Sequence, residues 1–160
     1  MKKDWIIISI LAGIVFVLIA FRKPIKKFMT RGYKNKNPGN IRLTSGIPWK
    51  GEIKGTDKDF KTFKSMGYGY RAILVTLNSY FKKGFNTIEK IISRYAPGSE
   101  NNTQAYINTV VNQSGIAKDT VLDFNDKLKI RKIIEAISYV ENGIKANPLE
   151  IDEGFKLYQA

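Results

Sequence analysis

The sequence predicts a mainly α domain with a small β part (α+β), preceded by one membrane-spanning helix. Three observations lead there. Apolar residues recur every three to four positions from Tyr68 to near the C-terminus. Gly and Pro interrupt residues 37–65 every few positions. Residues 5–21, WIIISILAGIVFVLIAF, run without a charge.

The apolar run comes first in the chain. As a helix, residues 5–21 span roughly 25 Å, slightly short of a bilayer core. Trp5 at one end and Arg22 and Lys23 at the other suit the two interfaces, and snorkelling lysines extend the reach. A buried core helix is disfavoured because the run has no polar face. A cleaved signal peptide is the stronger rival: Lys2-Lys3 precede the run, although no clear small-x-small cleavage site follows. The expected organisation is an anchor over 1–21, a basic linker over 22–36 and one domain over 37–160.

Charge divides along the same lines. The 160 residues hold 27 Lys+Arg and 14 Asp+Glu, a formal +13. Residues 1–36 contain nine of the basic residues and one acid, Asp4, giving +8. That leaves 18 basic and 13 acidic residues, or +5, for residues 37–160. Lipid headgroups are the simplest partner for the first part, and the domain's mild excess suits an anionic wall polymer. Nucleic acid is not the partner expected, since no recognition helix or RNP-like motif accompanies the charge. The basic residues after the run outnumber Lys2 and Lys3, so the positive-inside rule keeps the domain on the cytoplasmic side.

Within the domain, Asn37-Pro38-Gly39-Asn40, Ser45-Gly46-Ile47-Pro48 and Lys50-Gly51 mark loops, with a small hairpin near the alternation Asp59-Phe60-Lys61-Thr62-Phe63. A first helix carries Tyr70, Ile73, Leu74, Leu77 and Tyr80 and closes at Lys83-Gly84. Asn86 can cap a second, with Ile88, Ile91, Ile92 and Tyr95, stopped at Ala96-Pro97-Gly98. Asn101 or Asn102 can cap a third, with Ala105, Tyr106, Thr109 and Val110 inward and Gly115 at its end. The longest covers 125–142 and ends at Gly143. Asn147-Pro148 has the N-cap/N1 form and opens a last short helix.

The chain contains no Cys and no His, which excludes disulfides, thiolate zinc sites and Ser-His or Cys-His nucleophile pairs. No metal or other cofactor is expected. Acid/base chemistry then falls to carboxylates, Tyr or Lys. On the longest helix, with Ile134 at 0°, Ile130 lies near 320°, Ile137 near 300° and Glu141 at about 340°. Glu141 thus continues the buried stripe, while Glu135 points the other way. Desolvation and the negative helix end should both raise its pKa, as suits a general acid. The alternative is a frayed last turn that lets Glu141 reach water. Glu52, Asp57 and Asp59 lie in the hairpin region, where they line a cleft or sit on the surface. Most of the domain's aromatic residues stand at helical spacing and read as core. Trp49, in a loop stretch, is a candidate groove residue.

These segments resemble a known family. The string RGYKNKNPGNIR over 31–42, then Trp49-Lys50-Gly51, DKDFKTF over 57–63 and Gly69-Tyr70-Arg71-Ala72 carry the likeness. So do TIEKIISRYAP over 87–97, Glu100-Asn101-Asn102-Thr103 with Tyr106, and Glu141-Asn142-Gly143. Together they are similar to the structural protein P5-like family of phages and prophages, over about residues 31–160 and outside the anchor. A more distant likeness joins Ile137-Ser138-Tyr139-Val140-Glu141-Asn142-Gly143 to the helix-end Glu-Ser-Gly segment of lysozyme-like lytic transglycosylases. The Asn-Pro-Gly-Asn-Ile-Arg, Trp-Lys-Gly and Tyr-Ala-Pro segments are similar to pieces of bacterial glucosaminidases. There the catalytic Glu precedes the Asn-rich loop; here Glu141 follows it.

The resemblance implies a lysozyme-like helical domain that cleaves the β-1,4 links of peptidoglycan glycan strands, as a lytic transglycosylase or a glycosidase. Glu141 would be the general acid, and Glu52 or Asp57 the second acid that a hydrolase needs. Asn40, Arg42, Trp49, Tyr68, Arg71 and Tyr95 would line the substrate groove. A single-pass anchor would place the protein in a virion membrane or the host cell envelope, beside other virion proteins. The alternative is a virion membrane protein without activity, whose basic linker binds lipid or packaged genome.

Overall fold

The computed structural model of the chain describes residues 30–160 apart from 45, 47 and 99–101. The expected anchor at 5–21 and the first part of the basic linker lie outside the described residues. No helix among the described residues is long and apolar enough to cross a membrane.

A compact body runs from Arg31 to Ala160. It begins inside the segment read as linker. There a short helix α1 (Arg31–Lys34) buries Gly32. Arg31 forks onto Asp57 and Asp59, each at 2.7 Å. These partners lie more than twenty residues away, which is why the charge pattern alone reads as a solvated tether.

Next come β1 (Glu52–Ile53) and β2 (Thr62–Phe63), an antiparallel pair with Glu52 opposite Phe63 and Ile53 opposite Thr62. An isolated antiparallel bridge, Arg42 to Phe60, attaches the preceding loop to the same stretch. The rest is helical: α2 (Met66–Phe81), α3 (Ile88–Tyr95), α4 (Thr103–Ser114), α5 (Lys127–Asn142) and α6 (Pro148–Gln159). The architecture is therefore mainly α with one small sheet.

Each of the five longer helices starts on a side chain that accepts a backbone N–H. These are Ser65 for α2, Thr87 for α3, Asn102 for α4, Asp126 for α5 and Asn147, followed by Pro148, for α6. Two starts differ by one or two residues from the sequence reading. Asn86 is not the cap of α3; its carbonyl accepts Leu122 N–H while Thr87 caps. α5 starts at Lys127, with Asp126 as its cap, and not at Asn125. Gly115 and Gly143 end α4 and α5 in the left-handed conformation.

The core is aliphatic. Ile73, Leu74 and Leu77 of α2, Ile88, Ile91 and Ile92 of α3, and Ile130, Ile133, Ile134 and Ile137 of α5 are all buried. α2 packs along α6, and α4 packs between α3 and α5. The loop before the sheet seats closely on α2: a Cβ at Gly69 would meet Lys36 O at 2.3 Å and Pro38 Cδ at 2.4 Å. Only glycine lets the Asn-Pro-Gly-Asn turn lie this near the helix.

Candidate active site

The turn over residues 37–41 is built around a buried amide. Asn37 is fully buried, and its side-chain nitrogen donates to the carbonyls of Ile41 and Lys61 at 2.9 and 2.8 Å. Its side-chain oxygen accepts Ile41 N–H at 2.8 Å. An asparagine satisfied on both faces replaces the backbone bonds that a turn cannot make for itself. Asn40 closes this turn with φ of 44°, a left-handed conformation that asparagine tolerates better than most residues. Tyr95 donates its hydroxyl to Gly39 O from α3. A Cβ at Gly39 would lie 2.4 Å from that hydroxyl, so the contact requires glycine.

The end of α5 meets this turn. Asn142 is buried and donates to Pro38 O at 2.8 Å and to Ser138 O at 2.9 Å. Its neighbour Glu141 faces the other partner of the turn. Asn40 Nδ2 donates to Glu141 Oε2 at 2.8 Å, and Tyr106 of α4 donates its hydroxyl to Oε1 at 2.9 Å. Both carboxylate oxygens are held, so the last turn of α5 is ordered around them and not splayed to water. Burial raises the Glu141 pKa above its ordinary value, while the hydrogen bonds from Asn40 and Tyr106 oppose the rise. Burial also raises the Tyr95 and Tyr106 hydroxyls well above theirs, with the Glu141 charge adding to it.

These groups open into a cleft of about 310 Å³. Its wall combines Asn40, Arg42, Thr76 and Glu141 with the rings of Trp49, Phe60, Tyr80 and Tyr95. Glu141 is the only carboxylate lining this cleft among the described residues. No group of three or more carboxylates that could hold a metal ion is gathered among the described residues.

No family model matches the chain. A relative does: Protein P5 of Pseudoalteromonas phage PM2 is 41% identical over 127 residues, covering 77% of this chain and 76% of that protein. The chain belongs to the phage Protein P5 family.

In this P5-family chain, five residues singled out from the sequence come together at the cleft: Asn40, Arg42, Trp49, Tyr95 and Glu141. Four others lie elsewhere. Glu52 is not at the cleft; its carboxylate pairs with Lys61 Nζ at 2.9 Å and accepts Trp49 N–H at 2.8 Å. Asp57 is occupied by Arg31, by Asn35 at 2.7 Å and by the backbone N–H groups of Asp59 and Phe60. The Arg31 guanidinium holds the Asp57 carboxyl well below the usual carboxylate range. Tyr68 packs its ring against Gly51. Arg71 donates to Leu157 O at 3.2 Å, on the side of α2 that faces α6.

The structure also brings in residues that the pattern assigned to the core or left unremarked. Tyr106 and Tyr80 stand on inward stripes of α4 and α2, and Phe60 and Thr76 complete the wall. For Tyr106 a signal existed. A buried tyrosine needs a partner for its hydroxyl, and an inward carboxylate needs a donor. Which of the inward groups pair is decided by tertiary packing.

Proposed function

We propose that this chain is a membrane-anchored, phage-type muralytic protein with a lysozyme-like domain. It cleaves β-1,4 bonds of peptidoglycan glycan strands by the lytic transglycosylase route, with Glu141 as general acid. The observation that supports this best is Glu141 itself, a desolvated carboxyl with a raised pKa in the wall of an aromatic cleft. A carboxyl that holds its proton more tightly than usual suits protonation of a leaving oxygen.

Among the described residues no second carboxylate lines the cleft, which favours the transglycosylase over the hydrolase. Glycoside hydrolases of both stereochemical classes use a pair of acids about 5–9.5 Å apart. Glu52 and Asp57 are each committed to a local ion pair. In the transglycosylase route one carboxyl suffices. Glu141 gives its proton to the glycosidic oxygen as the C1–O bond breaks. The C6 hydroxyl of the same sugar then attacks C1, and its proton passes to the Glu141 carboxylate. An anhydro ring forms, the enzyme is restored, and no water is consumed. Trp49, Tyr80 and Tyr95 offer ring faces on which sugars stack. Arg42 offers a cation for the acidic groups of the wall polymer. The cleft volume sits at the lower end of the roughly 300–1,000 Å³ typical of ligand sites.

The kinship with a phage protein supports a place in the virion, either in its membrane or, during entry, at the host envelope. Assembly into a virion would also relieve the positive-inside conflict, because a phage membrane can present the domain to a wall from outside. The test is clearance of purified peptidoglycan by the full-length chain and by Glu141→Gln. Clearance by the parent alone supports the assignment. Equal clearance by both overturns the role of Glu141, and clearance by neither favours a non-enzymatic virion protein.

A further inference from the structure

Lys61 is a buried cation that the chemistry above does not use. Only 2% of it is exposed, and its ammonium lies 3.0 and 2.9 Å from the two oxygens of Glu52. Glu52 accepts Trp49 N–H at 2.8 Å, and its own N–H donates to Trp49 O at 2.8 Å, which closes the turn over residues 49–52. The ammonium also sits 5.7 Å from the centre of the Trp49 ring. The Lys61 backbone faces the other cleft segment. Its N–H donates to Ile41 O at 2.9 Å, and its carbonyl accepts from the Asn37 side chain at 2.8 Å. Asn37 and Ile41 bracket Asn40, whose amide holds Glu141. One buried residue therefore grips both the Trp49 segment and the Asn40 segment.

Stability alone is a poor reason for such a pair. Replacing a buried ion pair by apolar groups of similar volume often leaves a protein as stable or more so. A largely buried ion pair does something an apolar contact does less well: it fixes distances and directions. Sugar stacking on an aromatic ring depends on where that ring stands relative to the reacting bond.

We propose that Lys61 is a positioning residue for glycan binding. With Glu52 it holds Trp49 at a set place in the cleft wall relative to Asn40 and Glu141. The proposal rests on the glycan reading of the cleft. Loss of Lys61 frees the turn over 49–52 and weakens glycan binding, while Glu141 keeps both of its donors.

The experiment uses the full-length chain with Trp5→Phe, which leaves Trp49 as its one tryptophan. A β-1,4-linked N-acetylglucosamine hexamer is titrated while Trp49 emission is followed. KM and kcat are measured in parallel on soluble glycan-strand fragments. Lys61→Met is expected to raise Kd and KM about tenfold, the loss of one well-placed ring contact, with kcat nearly unchanged. Lys61→Arg, which keeps the charge, should recover most of the binding. A folded Lys61→Met with the parent's Kd and KM overturns the proposal, as does a loss confined to kcat. If Lys61→Met does not fold, Glu52→Gln takes its place, since it keeps an acceptor for Trp49 N–H and removes the charge. Unchanged Kd in that variant overturns the proposal too. A parent that neither binds the hexamer nor turns over fragments overturns the glycan reading itself, and the proposal with it.

Discussion

Asn40 and Glu141 stand 101 residues apart in sequence and share a 2.8 Å hydrogen bond in the wall of the cleft. The bond joins the turn over residues 37–41 to the last turn of α5, and the neighbouring Asn142 adds a second tie to Pro38. It also sets the chemistry of the carboxyl, because a donor from Asn40 favours the ionised form against the desolvation that disfavours it.

Asn40→Gly separates these roles. Glycine accepts the left-handed backbone that Asn40 already adopts, so the turn should survive while the donor is lost. The expected stability loss is about 1.5–3 kcal/mol, the range for a hydrogen bond to a charged group. The Glu141 pKa should move further up, and the basic limb of the pH–rate profile should shift to higher pH with it. A limb that moves down, or stays, contradicts the assignment of that limb to Glu141.

Tyr106→Phe removes the other donor and keeps the ring. It should shift the same limb in the same direction. Because Tyr106 and Asn40 act on one carboxylate, the double variant should depart from additivity by about 0.5–3 kcal/mol in denaturant melts. Additive losses would mean that the two donors do not act through a shared group.

Glu141→Gln carries a stability signature independent of activity. The folded pKa of Glu141 is raised above its ordinary 4.5, so the folded state holds this proton more tightly than the unfolded chain. The stabilisation is complete below about 4.5 and is lost as pH rises through the folded value. Glutamine stays neutral throughout. The Tm of Glu141→Gln minus that of the parent should therefore grow between acid and neutral pH. A flat difference means that Glu141 is solvated, and a shrinking one that its donors outweigh burial; either contradicts the raised pKa.

Asp57 predicts the opposite slope. Its carboxyl is depressed below its ordinary 3.8, chiefly by the hydrogen bonds from Arg31. Its contribution is present above that ordinary value and lost as pH falls toward the folded one. Thermal melts of the parent should weaken as pH drops below 3.8, and Asp57→Asn should weaken less over the same window. Peptidoglycan clearance by Asp57→Asn at neutral pH should match the parent, since Asp57 lies away from the cleft.

Local chemistry was readable wherever one residue decides the outcome. Asn147-Pro148 and Gly143 mark the helix ends they form, and the Ile130, Ile134 and Ile137 stripe points Glu141 inward as the wheel requires. Partner choice was not readable, because it is settled by packing between distant segments. Glu52 and Asp57 look alike as loop acids free to line a cleft until Lys61 and Arg31 are seen to hold them. Lys61 is the sharpest case. It is buried, as Phe63 is two positions on, whereas Phe60 and Thr62 remain partly exposed; hydropathy places a lysine in water. The six residues that open the body at Arg31 read as linker for a similar reason, since Arg31, Asn35 and Lys36 find their partners only in the fold.

The most direct measurement is mass spectrometry of the products released from purified peptidoglycan by the full-length chain. If Glu141 drives transglycosylation, the parent yields fragments ending in an anhydro sugar, and Glu141→Gln reduces their rate of release by at least about a hundredfold, the lower range for loss of a general acid. Anhydro products at equal rates from both proteins, or reducing-end sugars from the parent in their place, would contradict it.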